Sequence, residues 1–176
     1  MPGRVRVFIA TSLDGFIAGD NDDLSWLPQP TDAGDDGGFG AFLADVGALL
    51  MGRRTWDVVM GFDGPWPYGD RAVLVATHRP LAVPAGRGQP RSGDIRDLVA
   101  SGLEAAEGRD LYVDGGQLIR QALSAGLVDE LCLTQVPILL GRGIPLFSGL
   151  EGRIPLVLKS TRVLAGGLVQ LTFLRA

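Results

Sequence analysis

The first clear pattern lies at Val5 to Ser12, where Val5, Val7 and Ile9 alternate with Arg4, Arg6 and Phe8 before Ala10-Thr11-Ser12. A period of two over this length predicts a strand. Leu13 to Gly19 reads as a turn-rich connection with an apolar tip. Asp20 to Gly38 is a long polar loop with Asp22, Asp23, Asp32, Asp35 and Asp36, and loops of that length in compact domains are often functional. The period then changes: Phe39, Phe42, Leu43 and Val46 recur at i, i+3, i+4 and i+7, the stripe of a helix with one buried face. Ala48 to Met51 is a short apolar run, followed by Gly52-Arg53-Arg54-Thr55 and a helix-like segment from Trp56 to Met60. Arg71 to Ala76 predicts a buried strand ending at Thr77-His78-Arg79-Pro80. Asp94 reads as the N-cap of a helix carrying Ile95, Leu98, Val99 and Leu103. Leu111 to Val113 is a strand. After Asp114-Gly115-Gly116 it gives way to an amphipathic helix with Leu118, Ile119, Ala122 and Leu123 on one face. Val128 to Leu140 reads as one long strand interrupted by Pro137. The strands Pro155 to Leu164 and Leu168 to Leu174 are joined by Ala165-Gly166-Gly167, a hairpin signal.

Strands alternating with helices predict the α/β class: a mostly parallel sheet covered on both faces, three α-β-α layers, with the C-terminal antiparallel hairpin at one edge. Neither a repeat nor a linker interrupts residues 1–176, so a single domain is expected. Ligands of such sheets sit beyond the carboxyl ends of the strands. Thr11, Gly52, Thr77, Gly115 and Gly116 all stand at such ends and are expected to line one cleft.

Two of these junctions carry the chemistry of an anion site. Gly115-Gly116 opens a helix where no Cβ obstructs a ligand, and the free N–H groups of a first helical turn favour a phosphate. Gly52 repeats the arrangement, with Arg53 and Arg54 offering forked donors and Thr55 a hydroxyl. Two such loops in one small chain point to a ligand with several phosphates, such as a dinucleotide. The alternative for the arginines is solvated surface charge.

Composition acts mainly by exclusion. The chain has 176 residues, 46% apolar, with net charge −4. It has no basic tract, which excludes the usual nucleic-acid binder. With no apolar run of membrane-spanning length and no h-region at the start, a soluble, cytoplasmic protein without membrane partners is expected. Cys132 is the lone cysteine, so it forms no internal disulfide and reads as a small buried hydrophobe. With His78 the lone histidine, no His/Cys zinc site, zinc-deaminase signature or nucleophile elbow can be assembled, and no metal is expected.

The usual dinucleotide fingerprint G-x-G-x-x-G is absent from the first strand–helix turn. Instead, five segments occur in order: VFIATSLDGFIAG, LLMGRRTW, VATHRP, LYVDGGQLIRQAL and VDELCLTQVPILLGRGIPLF. Over nearly its whole length the chain resembles the dihydrofolate reductase fold. More closely, it is similar to the reductase domain of bifunctional riboflavin-biosynthesis proteins, here standing alone. The resemblance implies a dihydrofolate reductase-like mixed sheet, NADPH as cofactor, and hydride transfer to a small heterocycle, as in 5-amino-6-(5-phosphoribosylamino)uracil reductase.

Roles follow from that resemblance position by position. Ala10 and Ile17 match positions flanking the nicotinamide. Gly52, Arg53, Arg54 and Thr55 match a phosphate loop near the adenosine half. Thr77, His78 and Arg79 match the strand end that meets the 2′-phosphate. Gly115, Gly116, Gln117, Leu118 and Ile119 match the pyrophosphate loop and helix start. For Ala10, Ile17, Leu118 and Ile119 the alternative is core packing. Thr134 matches a threonine near the pterin site, and Trp26 and Leu27 either wall the substrate pocket or pin the long loop. Counting back from Gly52, Asp36 matches the aspartate of dihydrofolate reductases that assists protonation, with helix capping as its alternative. Asp14 is a candidate to cap its own turn. Arg142 is a candidate for a substrate phosphate by its charge. The resemblance also implies a homodimer, with Leu131 to Leu140 as the shared face. Dihydrofolate reductase itself, and a nucleotide-binding protein without catalysis, are the alternative functions.

Overall fold

The computed structural model describes residues 3–28, 36–82 and 87–176. In chain order its strands are β1 (Val5–Ser12), β2 (Phe16–Ala18), β3 (Val46–Gly52), β4 (Ala72–Ala76), β5 (Gln89–Arg91), β6 (Asp110–Asp114), β7 (Glu130–Val136), β8 (Ile144–Pro145), β9 (Leu156–Val163) and β10 (Val169–Arg175). The helices are α1 (Phe39–Asp45), α2 (Arg53–Met60), α3 (Ile95–Ala105) and α4 (Gly116–Ser124).

Eight strands form one sheet in the order β5-β4-β3-β6-β1-β7-β10-β9. The first six run parallel, and the β9–β10 hairpin closes one edge antiparallel. The alternation of side chains sorts the core into two layers. On one face Val7, Leu50, Leu74, Leu111, Val113 and Leu131 pack with Leu98 and Val99 of α3 and Leu118, Ile119 and Ala122 of α4. On the other, Leu49, Met51, Val73, Val75 and Tyr112 pack with Phe42 and Leu43 of α1 and Trp56 and Val59 of α2. Helices therefore cover both faces, and the dihydrofolate reductase-like three-layer α-β-α class expected from the chain is the one found. Removing each such side chain from water contributes about 1.5–3 kcal/mol. Close packing of α3 depends on Gly102, where an added Cβ would stand 2.7 Å from Leu111 Cδ1.

The amino ends of the strands are tied by ion pairs. Glu130, 3% exposed in its side chain, meets Arg6 at 2.6 Å, Lys159 at 2.8 Å and Arg4 at 3.4 Å. Burial would raise its carboxyl, but the Lys159 hydrogen bond and the Arg6 guanidinium hold it below the ordinary value. Asp110 takes the other ends of Arg4 and Arg6. Charge is thus spent at the end of the sheet opposite the glycine junctions.

Several boundaries differ from the sequence expectation. Val46, the last apolar position of the expected helix, instead opens β3, because α1 ends at Asp45. The helix after β3 begins at Arg53, so Arg53, Arg54 and Thr55 are its first turn rather than a loop. The segment expected as a strand from Val128 to Leu140 is a strand only over Glu130–Val136. Pro137 has no N–H to continue the ladder, and the chain turns there, Ile138 N–H donating to Val136 O. The connection Leu13 to Gly19 contains β2, which pairs with β8 beyond the Gly141–Gly143 turn. Short edge strand β5 pairs with β4. Its Gln-Pro-Arg sequence carries no strand signal.

Asp14 explains how that far turn is held. Its carboxylate accepts from Ser12 Oγ at 2.6 Å, Gly141 N–H at 2.7 Å and Leu140 N–H at 3.1 Å. The Ser12 bond first, then the backbone donors, hold its carboxyl below the ordinary value. Cys132 is buried, as expected.

Candidate active site

Parallel strands followed by helices put helix N-termini at the carboxyl edge of the sheet. Here the N-termini of α2 and α4 come together. Gly115 stands at φ +99°, a conformation essentially reserved for glycine. A Cβ on it would lie 2.5 Å from Thr55 Oγ1 and 3.6 Å from Gly52 N. The two glycine junctions therefore form one cradle, and around Gly52 the space where a Cβ would go is empty.

The cradle opens into a cleft of about 800 Å³, within the range of small-molecule and cofactor sites. Ala10, Ile17, Gly52, Arg53, Arg54, Thr55, Thr77, His78, Arg79, Gly115, Gly116, Gln117 and Leu118 all line it. Residues from five separate stretches of sequence thus share one surface.

Local contacts fix several of these groups. Arg53 donates to Asp57 at 2.9 Å and to Pro80 O at 3.0 Å, tying α2 to the turn after β4. Thr77 Oγ1 accepts from Arg79 N–H at 3.1 Å, which shapes that turn. The Arg79 side chain forms no ion pair among the described residues. Arg54 reaches Asp22, in the loop after β2, at 2.6 Å. An incoming phosphate therefore competes with that carboxylate for Arg54. Ile17 packs over α4: a Cβ on Gly116 would stand 2.8 Å from Ile17 Cδ1.

Five expected site residues stand elsewhere. Ile119 is fully buried beneath α4, in the core layer; it is one residue round the helix from Leu118, which reaches the cleft. Trp26 is not among the lining residues, and its indole N–H donates to Asp23 O, while neighbouring Leu27 does line the cleft. Thr134 is buried in β7 and accepts from Gln170 Nε2 at 3.1 Å. Asp36 caps α1 outside the cleft, accepting from Gly40 N–H at 2.6 Å and Gly38 N–H at 2.8 Å. Those bonds hold its carboxyl below the ordinary value, the reverse of what a proton donor at neutral pH needs. Asp32 and Asp35 lie outside the described residues. Arg142 pairs with Asp20 at 2.8 Å, and its side chain is 86% exposed, away from the cleft.

Among the described residues two carboxylates line the cleft: Asp22, engaged by Arg54, and Asp114, at the end of β6. The sequence marks Asp114 only as the residue before two glycines. Parallel pairing sets Arg6 beside Tyr112, so Asp114 falls next to Phe8, on the face shared with Ala10. Desolvation by the atoms packed around it raises its carboxyl to about 6, although the hydrogen bond from Gly115 N–H, at 2.8 Å, and the nearby Tyr112 side chain favour the ionised form. Burial also pushes the phenols of Tyr68 and Tyr112 up, so both stay neutral. Tyr112 additionally donates to Phe8 O at 2.9 Å. A carboxyl poised near neutrality and half-buried at the cleft can give up a proton to a reacting group.

A match to the RibD C-terminal domain family spans residues 4–170. The chain belongs to that family. Consistently, it is 39% identical to a putative riboflavin biosynthesis protein from Shewanella sp. PV-4, whose crystal structure superposes with a TM-score of 0.89 over 98% of this chain and 99% of that one. An uncharacterized protein of Bacillus subtilis (strain 168), YwjB, is 31% identical across the full length of both chains. More distant is the deaminase/5-amino-6-(5-phosphoribosylamino)uracil reductase of Thermotoga maritima. It shares the fold at 16% identity and a TM-score of 0.70, and this chain covers 57% of it. The family, and with it a riboflavin-biosynthesis reductase-like protein, is thereby identified. Among the described residues no helix is long and apolar enough to cross a membrane.

Proposed function

We propose that the protein is an NADPH-dependent reductase of a small heterocyclic substrate, most like 5-amino-6-(5-phosphoribosylamino)uracil reductase. The observation that carries this reading is the cradle in which Gly115 meets Thr55 and Gly52, with two helix N-termini aimed into one cleft. A dinucleotide fits what these residues offer. Gly115, Gly116 and Gln117 present backbone donors to a pyrophosphate, with Leu118 beneath them. Gly52, Arg53, Arg54 and Thr55 do the same beside the adenosine half. Thr77, His78 and Arg79 stand at the strand end where a 2′-phosphate would find the Arg79 guanidinium. Ala10 and Ile17 flank the position of the ring.

When bound, the reduced nicotinamide supplies the hydride, and the chain supplies position, dryness and a proton. Ala10 and Ile17 hold the two reactants face to face. Asp114 delivers a proton to the nitrogen or oxygen that becomes electron-rich as its carbon is reduced, and is recharged from solvent through the cleft. A dihydrofolate reading needs an acid at Asp36, which lies outside the cleft. A purely binding role leaves the raised Asp114 without a use. The cofactor pool such an enzyme draws on is that of the cytoplasm, where we place it.

Thermal shift tests the cofactor. NADPH should raise the melting temperature more than NADH, because a ligand that binds only the native state stabilises in proportion to its affinity. Arg79→Ala should narrow the gap by about tenfold in relative affinity, the scale of one charge-assisted hydrogen bond. An unchanged NADPH preference removes Arg79 from the 2′-phosphate role.

A homodimer is also proposed, through a different surface from Leu131 to Leu140. Leu131 and Leu133 lie in the core, and β7 is flanked by β1 and β10. Between Leu131 and Leu140 the exposed large apolar side chains are Ile138 and Leu139, in the turn after β7, whereas β9, the last strand of the sheet, carries a run of exposed apolar side chains with Val157 at 52%, Leu158 at 54% and Val163 at 79%. An unprotected apolar edge invites a second strand. Light scattering should give twice the chain mass, and Val163→Asp should shift it toward monomer. A wild-type monomer at micromolar protein overturns the assignment.

A further inference from the structure

Tyr68, in the loop between α2 and β4, belongs to two environments. It is 6% exposed and packs in the core layer of Phe42 and Trp56, yet it also lines the cleft. Its ring is held on edge. Trp66 crosses it at 87° with centroids 5.1 Å apart, and Trp66 in turn leans on the buried Trp56 at 5.9 Å. Its backbone carbonyl accepts from the Arg71 guanidinium at 3.0 Å, and the same guanidinium reaches Val46 O and Leu43 O. Ring and backbone are both anchored, so the fold sets the direction of the hydroxyl.

A buried tyrosine hydroxyl ordinarily finds a partner. Tyr112 does so, donating to Phe8 O at 2.9 Å. The Tyr68 hydroxyl makes no hydrogen bond among the described residues, and none of their sealed side-chain polar atoms lacks a partner. The Tyr68 hydroxyl is therefore not sealed: it opens to the cleft. Burial, and then the Asp114 carboxylate, push the phenol up, so it stays a neutral O–H donor. The wall beside it is apolar, with Val58, Val59 and Phe62. A phenylalanine would pack the same ring without an oxygen to desolvate when a ligand covers it. A rigid donor without a protein partner, set among apolar side chains, is the arrangement that orients a ligand in its pocket.

We propose that Tyr68 contacts the substrate directly, its hydroxyl donating a hydrogen bond to a neutral acceptor, a carbonyl oxygen or an unprotonated ring nitrogen, on the ring reduced beside Asp114. The apolar side chains take the face of that ring, and the phenol fixes its orientation in the plane. The proposal rests on the reductase reading of the cleft and adds to it a residue that determines specificity. A ring without an acceptor is rejected, because covering the phenol would leave its O–H unpaired.

Calorimetric titration at pH 8 with three flat bicyclic rings, each in saturating NADP⁺, tests it. Quinazoline-2,4-dione carries carbonyl oxygens, quinazoline carries ring nitrogens, and indole carries no acceptor in its plane. At that pH Asp114, raised to about 6, is ionised, while the Tyr68 phenol still donates. The dione or quinazoline should bind at least fivefold more tightly than indole, the stronger of the two identifying the acceptor. Tyr68→Phe keeps the ring and removes only the oxygen. It should weaken the stronger ring about fivefold, the scale of one neutral hydrogen bond. Indole binding and NADP⁺ affinity should be unchanged and the melting temperature no lower. Equal loss for all three rings, no loss for any, no preference over indole in the wild type, or no binding of any ring overturns the contact. A lower melting temperature or weaker NADP⁺ binding in Tyr68→Phe gives the phenol a structural role and overturns it as well. Failure of NADP⁺ to bind wild type would instead overturn the reductase reading, and is read from a titration without any ring.

Discussion

Asp114→Asn should abolish most turnover and at the same time make the protein more stable above pH 7. The carboxyl ordinarily titrates near 3.8 and is raised to about 6 in the fold. The folded state therefore binds this proton more tightly than the unfolded chain does. Its stabilising effect is complete below pH 4 and is lost as pH rises through 6, after which the fold carries a poorly solvated charge. A shift of that size corresponds to about 3 kcal/mol. Solvent reaching the carboxylate from the cleft screens part of it, leaving about 1–2 kcal/mol. Asparagine has the same shape and no charge. The variant should melt about 3–6 °C higher at pH 8 and gain nothing at pH 4.

Activity should move the other way. Losing a positioned proton donor costs about 10²- to 10⁴-fold. In the wild type kcat/KM should fall as pH rises past 6, the limb on which Asp114 gives up its proton, and in the variant that limb should vanish. If kcat and its pH profile are unchanged in Asp114→Asn, the proton comes from elsewhere. If the variant is less stable at pH 8, the carboxylate is better solvated than its packing indicates.

Asp114 also marks where the sequence stops being readable. Glycine at a strand–helix junction is a local signal, and Gly52, Gly115 and Gly116 all reached the cleft for that reason. Asp94 was equally legible: it accepts from the Arg96 and Asp97 N–H groups at 2.8 and 3.0 Å, as an N-cap must. Asp114 gives no such signal, because its raised carboxyl is made by the desolvating chain packed around it. Asp36 failed for the converse reason. Its spacing from Gly52 suggested an acid, but the neighbouring Gly37-Gly38-Phe39-Gly40 turns its carboxylate onto backbone donors. Leu118 and Ile119 show the limit of helical periodicity, since adjacent residues on one apolar stripe divide between cleft and core.

Gly115→Ala should be the most damaging single-methyl change in the site. The residue sits at φ +99°, ψ 130°, where an L side chain costs about 1–3 kcal/mol in backbone strain alone. The new Cβ would also stand 2.5 Å from Thr55 Oγ1, on the first turn of α2. Relief requires the two helix N-termini to part, which separates the donors that face the pyrophosphate. A melting temperature several degrees lower and at least a tenfold weaker NADPH affinity are expected. The double variant with Thr55→Ala removes the oxygen but not the strain, so it should recover part of the stability. Gly116→Ala provides the contrast. Its φ is not positive, and its Cβ would meet Ile17 Cδ1 at 2.8 Å and Arg120 Nη1 at 3.2 Å. Both are ends of flexible side chains and can yield, so folding should be nearly normal. If Gly115→Ala binds NADPH like the wild type, the cradle between α2 and α4 does not hold the dinucleotide, and the assignment of the cleft fails with it.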